Sequence, residues 1–254
     1  PVVDREGRVV GLATFGTGQF FKIGGVVAIN SVRRMAEFAL TPGAPRAQEF
    51  RVTGSEYVGP LVVGRKRVMR ITYDPGNTSN KGGSAEYTME ITQVLNLAGA
   101  FLYTYRDSDG DEFQNFLDAD GLFRVADSVK GWKTTFREPR LLLGFPTCAD
   151  LSWKNQWLRQ NLSSGATYQV TETSRIQSTK EEVSTPAGGF SQVLQEGGGV
   201  EVVETKGGQV VWRSTTTFWW APGMGVVRSL EERQGTNERW LSELLSHIVP
   251  TSSQ

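Results

Sequence analysis

From about residue 48 onward, turn chemistry cuts the chain at short intervals, and nothing else in the sequence constrains the fold as strongly. Asp74-Pro75-Gly76-Asn77, Lys81-Gly82-Gly83, Asp107-Ser108-Asp109-Gly110, Asp118-Ala119-Asp120-Gly121 and Glu196-Gly197-Gly198-Gly199 all combine residues that preset or tolerate turn dihedrals. Between them lie short alternating runs, among them 67–73, 86–95, 100–105 and 209–220. Short strands punctuated in this way argue an all-β antiparallel meander and not βαβ units. Glycine supports the reading: 29 of 254 residues is well above the usual share of about 7%. One helix is expected, over residues 237–248. Trp240, Leu241, Leu244, Leu245 and Ile248 would form its apolar stripe, and Pro250 would mark its exit.

The residue inventory narrows the chemistry. Lys+Arg and Asp+Glu balance at 27 each, so no global field draws nucleic acid, and no nucleic-acid partner is expected. No apolar run reaches the roughly 18 residues of a membrane-spanning helix. A single cysteine, Cys148, excludes an internal disulfide, and a single histidine, His247, excludes a His-rich metal site. Asp107-Ser108-Asp109-Gly110-Asp111 places carboxylates at alternating positions as a calcium loop does. Glu112 stands where such a loop needs glycine, however, so the segment reads as a solvated acidic hairpin. No metal, no cofactor and no catalytic residue are expected.

The first 40 residues differ in character. Pro1-Val2-Val3, a polar turn ending at Gly7, and Arg8-Val9-Val10-Gly11 read as a hairpin. The strand-like Gly25-Val26-Val27-Ala28-Ile29 follows, and then a short helix pattern through Leu40. In this order the segment resembles the carboxyl-terminal tail of a trypsin-like serine protease, with Pro1 as the proline just after the nucleophile motif. The resemblance implies that His, Asp and Ser of the triad lie upstream of Pro1, so residues 1–40 would be a partial β-barrel segment without catalytic groups. It also implies that the remainder of a protease domain precedes the chain. Residues 41–48, with Pro42, Gly43 and Pro45, read as a linker, and 49–254 as a β-rich domain.

That β-domain carries three further landmarks: Leu141-Leu142-Leu143-Gly144-Phe145-Pro146 followed by Trp153, Thr185-Pro186-Ala187-Gly188-Gly189-Phe190, and Trp219-Trp220-Ala221-Pro222-Gly223-Met224-Gly225-Val226-Val227. In order and spacing they resemble secreted bacterial domains similar to periplasmic lipoprotein carriers. The resemblance implies a strongly curved antiparallel sheet, an unclosed barrel, with helix on its concave side, in an extracytoplasmic protein. Pro186 with Gly188, and Pro222 with Gly223 and Gly225, have the residue types of tight strand corners.

Successive strand residues face opposite sides, so Phe218 and Trp220 should share one face and Trp219 the other. Those three are the candidate ligand-lining residues. Three functions follow. The chain is the non-catalytic part of a secreted protease whose β-domain serves recognition or anchoring, or a carrier for a lipid, acyl or lipidated protein partner, or a structural envelope protein.

Overall fold

The computed structural model describes residues 2–3, 9–11 and 54–250, apart from 77, 98 and 99. Near the amino terminus β1 (Val2–Val3) pairs antiparallel with β2 (Val9–Gly11). The remainder of the trypsin-like reading of 1–40, and the linker, lie outside the described residues.

The other strands form one sheet of 13, every pairing antiparallel. In chain order they are β3 (Lys66–Asp74), β4 (Gly83–Leu97), β5 (Ala100–Asp107), β6 (Glu112–Leu117), β7 (Gly121–Ser128), β8 (Trp132–Phe136) and β9 (Arg140–Gly144). Then follow β10 (Ser152–Asn161), β11 (Thr167–Thr185), β12 (Gly188–Glu204), β13 (Val210–Ala221), β14 (Gly225–Arg233) and β15 (Arg239–Ile248). Strands β10 to β15 lie side by side, β15 pairs with β3, and β3 to β7 continue the sheet. Its two edges are β8 and β9. The expected curved, unclosed barrel is therefore the fold.

Residues 237–248 are not a helix. Arg239–Ile248 is a strand paired on both sides, with β14 and with β3. A 3.6 period and a 2.0 period both suit this segment. As a strand it supplies backbone partners to two neighbours that would otherwise be bare edges, which a helix cannot do. It also seats Trp240 between Tyr73 and Trp212, at ring-centroid distances of 5.3 and 5.9 Å.

The run Gly197-Gly198-Gly199 is not a turn either. It lies inside β12, opposite Arg175, Ser174 and Thr173 on one side and Thr217, Thr216 and Thr215 on the other. A Cβ on Gly198 would fall 1.9 Å from the Thr173 carbonyl oxygen, so glycine here permits close strand approach.

The other turn signals hold: Asp74 to Gly83 joins β3 to β4, the 107–111 loop joins β5 to β6, and 118–121 joins β6 to β7. In the acidic loop the Asp107 carboxylate accepts from the Asp109 and Asp111 N–H groups, at 2.9 and 3.0 Å.

Two apolar clusters build the core. The first gathers Tyr57, Ile91, Tyr103, Leu143, Ile176, Leu194 and Trp220. The second packs Val183 and Val193, near the tip of the long β11–β12 hairpin, against Met69, Val227 and Leu244. Three register shifts between Ile176 and Val183 bend that hairpin, and at its tip the Ala187 N–H donates to the Leu244 carbonyl at 3.0 Å. A 3₁₀ turn, Ser55–Tyr57, opens a segment that ends at Arg65 and contributes Tyr57, Val58 and Leu61 to the first cluster. The Arg65 guanidinium ties this segment down by donating to the carbonyls of Val58, Pro60 and Met224, at 3.2, 3.0 and 2.7 Å.

Candidate functional site

Strand alternation turns one set of side chains from nearly every strand toward a common interior. Two cavities among the described residues open into it. One, of about 340 Å³, has Phe218, Trp220, Ile91, Leu122 and Tyr103 in its wall, with Val58 of the 54–65 segment. The other, of about 460 Å³, is walled by Trp132, Trp157, Tyr168, Trp212 and the valines of β11 to β13. Arg140 lines both, so the two cavities meet at its guanidinium, and its partner Glu172 lines the first.

The pair is the polar centre of the molecule. Arg140 donates to both Glu172 oxygens, at 2.9 and 2.5 Å, and stacks over Trp157 at 4.6 Å. Burial alone would lower the Arg140 pKa; the neighbouring Glu172 carboxylate more than reverses this and holds the guanidinium above its usual value. Asn155 completes the group by donating to Glu172 at 2.8 Å. Its amide also exchanges two bonds of 2.9 Å with the Leu141 N–H and carbonyl. Asn155 stands in β10 and Leu141 in β9, so one amide side chain bridges a gap where the sheet has no ladder.

Glu196, on β12, is the second buried acid. Burial pushes its pKa up to about 7, and the nearby Glu172 adds to the rise. Hydrogen bonds from Ser174 and from Trp220 Nε1 (2.9 Å), together with the Arg140 charge, work the other way. A carboxyl with this character takes or gives a proton near neutral pH while facing the first cavity.

Phe218 and Trp220 line the first cavity, as their shared strand face expects. Trp219 points to the other side, against the second core cluster, with Arg228 over its ring at 5.2 Å. Pro222 and Gly223 occupy the β13–β14 corner, where Gly223 has φ 73° and the Met224 N–H returns to the Ala221 carbonyl at 3.1 Å, a type II arrangement. Gly225, at φ 83°, opens β14. Gly188, at φ 130°, follows Pro186 at the tip of the β11–β12 hairpin. His247 lies in β15 and accepts from Arg65 Nε at 2.8 Å; burial, with Arg65 and Arg67 close by, lowers its pKa. Among the described residues no three His, Cys, Asp or Glu side chains converge.

The sequence reading missed Arg140, Asn155, Glu172, Glu196 and Arg159. A signal existed for one of them. In β11, Val170, Glu172, Ser174 and Ile176 share a face on which every member is buried, so an acid there needed a buried partner. The position of that partner, 32 residues earlier, depends on closure of the barrel.

No family model matches the chain, and no curated protein matches it. Solved structures do. A candidate lipoprotein from Parabacteroides distasonis aligns with 75% of this chain and 97% of its own, at 13% identity and a TM-score of 0.53. A candidate exported protein with a YmcC-like fold, from Bacteroides fragilis, aligns with 75% of this chain and 98% of its own, at 12% identity and a TM-score of 0.52. At such identities the likeness is one of fold: the curved antiparallel sheet is shared with these two proteins.

Proposed function

We propose that this chain is an extracytoplasmic carrier module that holds a lipid, an acyl chain or a lipidated partner within its curved sheet. The observation behind the reading is the interior itself, with two cavities of about 340 and 460 Å³ whose walls are rich in aromatic and aliphatic side chains. A sheet whose only purpose is structural gains nothing by leaving such space unfilled, because unfilled core volume costs stability. The descriptions of the two fold relatives, one as a candidate lipoprotein and one as exported, support the location outside the cytoplasm. Phe218 and Trp220 belong to the ligand wall, and Trp219 belongs to the core.

The reading of the chain as the end of a secreted protease rests on residues 1–40 of the sequence, and neither fold relative is described as a protease.

Saturable binding of a fluorescent fatty acyl probe to the full chain tests the carrier reading. Trp220→Gln should weaken binding several-fold, whereas Trp219→Gln should lower thermal stability and leave the probe affinity of the folded fraction alone. A probe that does not bind saturably, or that binds equally well to the Trp220→Gln protein, would count against it.

A further inference from the structure

The second cavity carries an asymmetry that the carrier reading does not use. Three charged residues line it: Arg140, Arg159 and Glu231. Arg140 is matched by Glu172, and Glu231 accepts from the Ser214 hydroxyl at 2.7 Å. Arg159 is different. Its guanidinium lies over the Trp132 ring at 4.8 Å, and among the described residues it makes no hydrogen bond or ion pair. Its Nε is fully buried and has no acceptor. Burial lowers the Arg159 pKa and the nearby Asp127 offsets this in part, yet the two form no ion pair and the buried Asp127 Oδ1 has no hydrogen-bond partner either. In the same wall Trp212 Nε1 is also buried without an acceptor. A buried donor left unmet costs roughly 1–3 kcal/mol, and a guanidinium presents five donors in a planar fork. The unmet guanidinium of Arg159 is a request for acceptor oxygens at the β8–β10 end of the cavity.

The rest of the wall asks for the opposite chemistry. Val170, Val200 and Val202 lead inward toward Arg140 and the Phe218–Trp220 end. Val211, 41% exposed, stands where the cavity meets solvent. Glu231 sits on β14, four strands from Arg159 on β10, so the positive and negative ends of the cavity are well separated.

We propose that the second cavity binds an amphiphile with an anionic head. Carboxylate or phosphate oxygens accept from Arg159, and the apolar tail runs inward along the β11 and β12 valines. The inference rests on the carrier reading and adds to it the class of ligand and the residue that selects it.

The test uses the full chain and displacement of a dansyl-labelled acyl probe by three competitors: dodecanoic acid, dodecanol and inorganic phosphate. Dodecanoic acid should displace the probe at about a tenfold lower concentration than dodecanol, the size expected for one charge-assisted contact. Arg159→Met, which keeps an apolar stem over Trp132, should erase that preference; Arg159→Lys should retain most of it. Equal potency of acid and alcohol in the unaltered protein overturns the anionic-head inference and leaves the carrier reading standing. Displacement by phosphate at the concentration at which dodecanoic acid works would mark a free-anion site and overturn the amphiphile. A probe that binds nowhere removes the carrier reading and the inference with it. Where Arg159→Met does not fold, Arg159→Gln takes its place: an acid-to-alcohol ratio unchanged in that variant overturns the inference.

Discussion

Where β15 meets β3, the wall of the barrel is a backbone ladder that runs from Arg239 opposite Asp74 to Ile248 opposite Lys66. Where β9 meets β10 there is no ladder at all, and the same task falls to side chains: Asn155 on the Leu141 backbone, and Arg140 on Glu172. The two walls differ in what can break them. A ladder distributes its hydrogen bonds over groups that every residue carries, so no single side chain is indispensable. The seam concentrates closure in two buried contacts between particular residues, one of them ionic. It is also where the two cavities meet, so the least redundant part of the wall is the part nearest the proposed ligand.

The sharpest way to separate the walls is Arg140→Met. The Glu172 side chain is 6% exposed, and losing its cation leaves a buried carboxylate that, among the described residues, only Asn155 still serves. Breaking a buried pair from one side costs about 3–5 kcal/mol. Urea denaturation should show a loss of that size. A loss below about 1 kcal/mol would mean that the seam contributes no more than a surface ion pair does.

A second expectation concerns pH and the acid behind the seam. Unfolded, Glu196 ionises near 4.5; folded, near 7. Between those values the folded chain keeps a proton that the unfolded chain has released. The neutral carboxyl therefore favours folding fully below pH 4.5, and this contribution is lost as pH rises through 7. The shift corresponds to about 3 kcal/mol. Glu196→Gln retains an acceptor for Trp220 Nε1 and cannot ionise. The difference in stability between this variant and the parent should therefore open between pH 5 and 7.5 in favour of the variant. A difference that stays flat across that range would remove Glu196 as a titrating group.

The ladder side of the molecule was the more legible in sequence, and the reason is physical. Its turns use Pro, Gly, Asn and Asp at positions whose dihedrals those residues serve, so the corners at Pro75–Gly76 and Pro222–Gly223 announce themselves locally. Glycine misleads when its purpose is not a turn: at Gly198 the missing Cβ makes room for the Thr173 carbonyl of the next strand, a fact of tertiary approach. The stripe from Trp240 to Ile248 misleads because burial on both faces of a strand blurs its period into a helix-like one. The seam was illegible for a stronger reason. Asn155 and Glu172 face each other across the β10–β11 hairpin, but Arg140 joins them from the far edge strand only after the sheet has curled, and no local pattern encodes that meeting.

The smallest expected effect closes the comparison by matching one polar truncation on each wall. Asn155→Ala removes the partner that the Leu141 N–H and carbonyl have across the seam and one donor to Glu172. Alanine leaves space that a water can enter, so part of this is recovered. The expected cost is about 2 kcal/mol. Ser242→Ala is its counterpart. Ser242 is buried in β15 opposite Ile71, and its hydroxyl lies against Tyr87. Its backbone pairing is untouched by the substitution, and a lone hydroxyl bond is worth about 1 kcal/mol or less. Thermal melts of the two variants side by side should place Asn155→Ala clearly below Ser242→Ala. Equal losses would show that the two walls are closed by equivalent means, and that the amide of Asn155 decorates a seam held shut by packing.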